Sequence, residues 1–436
     1  MPGRIAVAAS GGRDSTALLH ATARAARGFG LEVHALHVDH GLMPQAAGWA
    51  AHLRRQCQRW RRAGLPVEMH VTPLEGRPQP GDSTEAWARR ERYRALASMA
   101  ESLGIDLVLL AHHRGDQAET LLLQALRGAG AAGLAAMPAA AQRGGIHWLR
   151  PWLEQPRSAI EAYVRRHRLG YVDDDSNADP RFARNRLRLS VWPVLTAAFP
   201  EAEASLAHAA RRAHEAAACA AELAAIDAAV CIDTQRRLHV GDWLKLDPQR
   251  RANLLRHWLG GALVDGVPDS LIERLQRELT AARLARQRPA SWPAGAGSVR
   301  LHRGLLVCTV DTPQHACPPS CRLDLSRPGS YPLPAWGGSL IVAATQGQGI
   351  PSRLLAQAEL RPREGAEQFQ RTARSAPRSL KKQYQAAGVA PWQRGGPLVF
   401  AGDQLLFVPG LGVDGRVDRR DQEPTSSLHW QPGTGS

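Results

Sequence analysis

The hexapeptide Ser10-Gly-Gly-Arg-Asp-Ser15 stands between the apolar run Ile5 to Ala9 and a helix-like stretch, Thr16 to Arg27. That order reads as strand, glycine turn and helix start. It sets several backbone N–H groups and the positive end of a helix dipole around one small volume, which suits a phosphate. Gly11 and Gly12 allow positive φ and close approach of the backbone to an anion, while Ser10 and Ser15 add hydroxyl donors. The Gly-Lys-Ser/Thr ending of a Walker loop is missing, which argues against an ordinary kinase or GTPase.

The rhythm of this opening continues to about Arg150. Apolar runs at Ile5 to Ala9, Leu31 to Val38, Val67 to Val71 and Leu107 to Ala111 read as strands, and helical patterns intervene at 14–27, 45–63, 84–103 and 116–126. Short strands alternating with helices predict an α/β fold with a doubly wound parallel sheet. Ligands of such sheets sit at the carboxyl ends of the strands, where each conspicuous polar cluster of this chain begins.

Beyond that region a helical stretch, Arg157 to Arg168, and an Asp-Asn-Pro loop, Asp173 to Pro180, precede the basic segment Arg181 to Arg188. An Ala-rich pattern after Pro200 runs to about Val230 and continues through Trp243 to Leu259 and Ser270 to Arg286, predicting a helical domain. Pro and Gly gather at 289–297 and 313–338 around one strand-like piece, Val299 to Val310. From about 340 to 415 apolar runs alternate with turns, as in a small α+β domain, and the last residues read as a polar, frayed tail. The expected division is 1–197 catalytic, 198–298 helical, 299–339 a linker or strand-containing segment, 340–420 C-terminal domain and 421–436 tail.

The 436 residues and 44% hydrophobic content suffice for two or three domains with their own cores. No apolar run approaches the length of a membrane span, so the expectation is a soluble cytoplasmic protein. Six scattered cysteines do not form a disulfide framework, and Cys317 with Cys321, lacking a second pair, do not make a zinc site. The net charge of +15, from 55 basic and 40 acidic residues, favours a polyanionic partner such as nucleic acid.

Two further clusters fall at strand ends. His37-Val-Asp-His-Gly-Leu42 follows the second strand and places Asp39 and His40 at the same edge as the glycine loop. The fourth strand leads into Ala111-His-His-Arg-Gly-Asp-Gln-Ala-Glu-Thr120, where Asp116 and Glu119 share one side of a new helix. Carboxylates beside a phosphate site call for Mg²⁺ or for a cationic substrate such as an ammonium; taken singly they also serve as charge stabilisation at a helix N-terminus.

These strings, with Glu85-Ala-Trp-Ala-Arg89 and Tyr93, Arg127-Gly128, Gly133-Leu134, Arg150-Pro151 and Arg184-Asn-Arg-Leu-Arg188, occur in the order found in the tRNA(Ile)-lysidine synthase family of PP-loop enzymes. The chain resembles that family over residues 4 to about 195, more weakly through 200–290, and again at 359–415 with Arg378-Ser-Leu-Lys-Lys-Gln383. The resemblance implies an adenine nucleotide alpha hydrolase-like first domain. It implies ATP-dependent ligation of free L-lysine to the wobble cytidine of tRNA(Ile) with a CAU anticodon, through an adenylated cytidine, with release of AMP and pyrophosphate. By the same resemblance Ser10, Gly11, Gly12, Arg13, Asp14 and Ser15 hold ATP, and Asp14 assists through Mg²⁺. Asp39, Asp116, Glu119 and Arg184 are the implied catalytic set, with Glu119 the favoured base; His40, Arg89, His112, Asn185 and Arg188 are the implied substrate contacts. Arg378, Lys381 and Lys382 are expected to grip tRNA, on a helical stripe that Arg374 begins. A homodimer is the assembly allowed for, and no membrane is involved.

Two positions depart from the family pattern: Gly115-Asp116 stands where two aspartates are usual, and Met43 where an arginine follows His-Gly-Leu. The alternatives are another PP-loop tRNA-modifying enzyme, of which a thiolase would need a reactive cysteine near the site, or an inactive RNA-binding homologue. The first domain offers only Cys57 for the former, on a predicted helix.

Overall fold

The computed structural model describes residues 3–39, 46–74, 76, 84–172, 179–263, 266–281, 289–295, 297–310, 318–345, 349–417 and 424–433. The chain divides into two compact units, Met1–Ala220 and Ala221–Ser436.

In the first unit β1 (Arg4–Ala8), α1 (Arg13–Arg27), β2 (Glu32–Asp39), α2 (Ala46–Arg62), β3 (Val67–Pro73), α3 (Thr84–Ser102), β4 (Leu107–Leu109) and α4 (Arg114–Ala125) follow the expected alternation within a residue or two at most ends. A short α5 (Ala131–Leu134) and the hairpin β5 (Ala140–Arg143) and β6 (Ile146–Leu149) complete a six-stranded sheet of order β3-β2-β1-β4-β6-β5. It is parallel except for β5, which runs antiparallel to β6. Successive β1 side chains point to opposite faces. Val7 joins Leu19 of α1, Leu53 and Trp60 of α2 and Val164 of α6 (Arg157–His167). Ala6 joins Leu96 and Ala100 of α3 on the other side. Helices therefore cover both faces. The order reverses between β1 and β4, so the crevice beyond their carboxyl ends is the place where such a sheet takes its ligand. After α6 come α7 (Ala183–Arg186), a π-helical turn over Leu187–Val191, α8 (Trp192–Ala198) and the 30-residue α9 (Ala202–Cys231), which crosses from the first unit into the second.

The second unit begins with β7 (Leu238–His239), α10 (Val240–Trp243), α11 (Pro248–Gly260) and α12 (Asp269–Ala281). The single helix expected from Trp243 to Leu259 is broken, because Pro248 cannot supply a helical N–H and holds Asp247 extended at ψ 154°. The strand-like piece expected at Val299 to Val310 is a pair of strands rather than one. β8 (Ala290–Ala294), β9 (Gly297–His302) and β10 (Leu305–Val310) form a sheet of order β7-β10-β9-β8. Arg303 and Gly304, both at positive φ (50° and 78°), make the two-residue turn between β9 and β10. Trp292, Val299 and Leu306 of this sheet bury against Trp243, Leu255 and Leu275 of the helices, so the helical region shares one core with strands.

Further along, β11 (Cys321–Leu323), β12 (Gly329–Leu333), β13 (Gly338–Thr345), β14 (Ile350–Pro351), α13 (Ser352–Leu355), β15 (Ala358–Arg361), β16 (Gln368–Phe369), β17 (Arg378–Ser379), α14 (Leu380–Ala387), β18 (Leu398–Ala401), β19 (Gln404–Val408), β20 (Gly412–Val413) and β21 (Thr425–Pro432) build the strand-rich remainder. The sheets run β11-β15-β18-β19-β20 and β12-β13-β21-β14. The expected frayed tail thus contains an interior strand. β21 pairs with all of β13, from Thr345 opposite Thr425 to Gly338 opposite Pro432. It buries Leu428 and Trp430 while Ser427 and His429 stay exposed, the alternation of a strand with one face on a core.

Candidate functional site

The glycine loop is held by its own polar groups. Gly11 sits at φ 86°, a conformation that only glycine adopts freely, and its carbonyl accepts from Val172 N–H at 3.0 Å and from the Thr16 hydroxyl at 3.3 Å. Gly12 is the N-cap of α1, so no side chain caps the 15-residue helix and its first N–H groups face the loop. Ser15 Oγ donates to the Gly12 carbonyl at 3.0 Å and accepts from Ser10 N–H at 3.2 Å, with the two serine hydroxyls 2.9 Å apart. Ser15 therefore shapes the loop from its buried side. Arg13 turns away from it to Glu161 on α6 at 2.8 Å, while its Nε donates to Asp14 at 3.1 Å.

Across the crevice, α4 opens on a reciprocal cap. His113 accepts from Gly115 N–H at 3.1 Å, and Asp116 accepts from His113 N–H at 3.0 Å. The cap accounts for Gly115: a Cβ there would lie 2.9 Å from His113 Cε1, so the imidazole fills the space that an aspartate would need. His113 Nε2 lies 3.6 Å from Asp116 Oδ2 and 3.9 Å from Asp14 Oδ2, joining the glycine loop to α4. Burial pushes the Asp116 carboxyl up, but His113, His112 and Arg184 outweigh it and hold the group below its usual range. Asp14 and Asp116 thus approach one another through the His113 ring, beside the glycine loop.

The basic segment lands on these carboxylates. Arg188 Nε donates to Glu119 Oε1 at 2.6 Å and Nη2 to Asp116 Oδ1 at 3.0 Å; Arg184 Nε lies 3.3 Å from Glu119 Oε2 and its Nη2 donates to Thr120. Glu119 is 6% exposed, and Arg188 and Arg184 are the cations that compensate it there. Burial would lower the Arg188 guanidinium, but Glu119, Asp116 and Asp14 raise it. Asn185, buried, donates to the Asp179 carbonyl at 3.0 Å and anchors the segment.

Of the other expected residues, Asp39 closes β2 and is half-buried, and its carbonyl accepts from Leu74 N–H at 2.7 Å. His40 and Met43 lie outside the described residues. Arg89 is exposed, with its guanidinium 5.6 Å from the Tyr93 ring centre. His112 is driven down to about 3, first by burial and then by Arg150, Arg92 and Arg89, against the pull of Asp116. Arg92 and Arg150 were not among the expected site residues, nor was His113 as a bridge. Arg150 donates to the Pro138 carbonyl at 2.8 Å and to the Tyr93 hydroxyl at 3.3 Å. Arg92 stands three residues after Arg89 on α3, a helical spacing that marks a shared face.

The PP-loop domain model matches residues 2–195, the TilS substrate binding domain 238–307, and the TilS substrate C-terminal domain 358–430. The chain is 40% identical to the tRNA(Ile)-lysidine synthase of Ralstonia nicotianae over 94% of this chain and 89% of that protein. It is 37% identical to that of Burkholderia mallei, covering 98% and 93%, and 38% identical to that of Chromobacterium violaceum, covering 94% and 91%. The chain belongs to the tRNA(Ile)-lysidine synthase family.

As a member of that family it is an ATP-using, tRNA-modifying enzyme. The loop is suited to the nucleotide: an uncapped helix N-terminus and a positive-φ glycine leave backbone donors for phosphate oxygens. The thiolase alternative loses its one cysteine, since burial pushes the Cys57 thiol up to about 12. In the C-terminal match Arg374, Arg378, Lys381 and Lys382 are all exposed, but the expected stripe is broken. α14 starts only at Leu380, Arg378 lies in β17, and Arg374 lies in the turn before it. Pro377 keeps the preceding residue out of the helical region, and β17 pairs with β16 instead. Among the described residues no helix is long and apolar enough to cross a membrane.

Proposed function

We propose that the enzyme ligates free L-lysine to the wobble cytidine of tRNA(Ile) bearing a CAU anticodon, in two steps at the β1–β4 crevice. The cytidine carbonyl oxygen attacks the α-phosphorus of ATP; an O–P bond forms, the α–β bridge breaks and pyrophosphate leaves. The ε-amine of lysine then attacks the same carbonyl carbon, and AMP leaves with the oxygen. Ser10, Gly11, Gly12 and Ser15 provide the phosphate cradle, and Asp14 with Asp116 would hold Mg²⁺, which supplies charge neutralisation at the leaving phosphates.

Lysine arrives as an ammonium and must lose a proton before it attacks. Glu119 is the base and Asp39 and Asp116 complete the anionic pocket. Arg184 and Arg188 pair with Asp116 and Glu119 and hold them in place until the ammonium competes for them; the arginines then serve the phosphates of ATP or tRNA. The observation that carries this reading is the meeting of an uncapped phosphate loop, through Asp14 and His113, with the buried Asp116 of α4, which shares Arg188 with Glu119. ATP–pyrophosphate exchange with and without the CAU tRNA, followed by incorporation of labelled lysine, tests it. Exchange should require that tRNA and lysine should appear in it; tRNA-independent exchange, or exchange without lysine transfer, would overturn the reading.

A further inference from the structure

On the α3 side of the sheet, remote from the glycine loop, strands β2 and β3 bring two histidines and a glutamate together. The parallel register sets His34 opposite Glu68 and Leu36 opposite His70. His34 Nδ1 and His70 Nε2 are 3.0 Å apart, and ligand atoms of His34, His70 and Glu68 all lie within 4.8 Å of one another. His34 is 6% exposed. Its other nitrogen, Nε2, makes no hydrogen bond but lies 3.8 Å from Glu32 Oε2, and Arg4 Nε donates to that same oxygen at 3.2 Å.

We propose that His34 Nδ1, His70 Nε2 and the Glu68 carboxylate bind one Zn²⁺ ion. A proton shared between the two rings would explain their approach, but it leaves Glu68 without a part. A divalent cation takes both imidazole lone pairs and the carboxylate together. Two histidines and one glutamate are a zinc donor set with a fourth position left for water. Glu32 then acts as the outer carboxylate: it accepts the Nε2 proton of His34, fixes the tautomer that points Nδ1 inward, and is itself oriented by Arg4. The ion would staple β3, the outermost strand of the sheet, to β2, whose far end carries Asp39. His34 precedes Asp39 by five residues, about 16 Å along an extended strand, so the ion is separate from the nucleotide site.

Tag-free full-length protein, stripped with EDTA and titrated with ZnCl₂ by calorimetry, should bind one equivalent at this site and gain thermal stability. Glu68→Gln and His70→Gln change side chains at the sheet margin and leave buried His34 intact, so both variants should fold. Each should lose zinc affinity at least tenfold and lose the zinc-dependent rise in Tm, and Glu32→Gln should weaken binding by about tenfold. MgCl₂ should not reproduce the rise in these variants or compete for the site. Absence of zinc binding in the wild type, or the same stoichiometry and affinity in His70→Gln, would overturn the proposal.

Discussion

Arg188 and Glu119 meet through a 2.6 Å Nε–Oε1 bond, although 69 residues separate them in the chain. The same guanidinium spans to Asp116 at 3.0 Å, so one cation holds both carboxylates of α4. Losing one partner of a buried pair leaves the other charge uncompensated, whereas losing both is cheaper. Arg188→Ala should therefore destabilise the protein by about 3 kcal/mol in urea unfolding. The double variant with Glu119→Gln should recover part of that loss, and a strictly additive double variant would dissolve the pair as an energetic unit.

Gly11 sits at φ 86° with open space where a Cβ would project, so Gly11→Ala meets no clash and is opposed only by its backbone conformation. The conformational cost is about 1–2 kcal/mol. Displacing the loop should lower ATP–pyrophosphate exchange by roughly 100-fold. tRNA binding, measured by filter retention, should stay at the wild-type level.

Glu119→Gln keeps the size and most hydrogen bonds of the side chain but removes its charge. Adenylation should persist while lysine transfer falls, so adenylated tRNA should accumulate and be seen in gel analysis. Unchanged lysine incorporation at an unchanged KM would remove Glu119 from the lysine pocket.

His112 is held at about 3 against an ordinary 6.5, so the folded state refuses a proton that the unfolded chain accepts. Stability from this group is complete above pH 6.5 and falls as pH drops toward 3, by about 1.4 kcal/mol per pH unit. Asp116, also depressed, adds a loss of the same sign at lower pH, through the carboxylate range. His112→Gln should flatten the dependence of unfolding free energy on pH between 6 and 4.5; an unaltered slope would contradict the burial argument.

Replacing Arg378, Lys381 and Lys382 together by Ala should weaken tRNA binding and flatten its salt dependence by roughly 0.7 to 0.9 log units per lost phosphate contact. ATP affinity should not move. Because the three cations lie partly on β17 and partly on α14, single substitutions should contribute unequally; an unchanged salt slope would reduce them to surface charge.

What the chain determined on its own is local. Gly11 and Gly12 between an apolar run and a helix pattern dictate the turn that opens α1, and the alternation of short strands with helices dictates the parallel sheet. These follow from backbone preference and periodicity, which act over a few residues. The tertiary structure alone decided that Arg184 and Arg188 fold back onto Asp116 and Glu119, and that the His113 ring takes the space a side chain at Gly115 would need. It also decided that the polar end of the chain pairs as β21 with a strand 80 or more residues earlier, and that the basic stripe from Arg374 stops at β17. Each of these rests on partners distant in sequence, where charge compensation, ladder hydrogen bonds and burial of Trp430 outweigh what the local pattern favours.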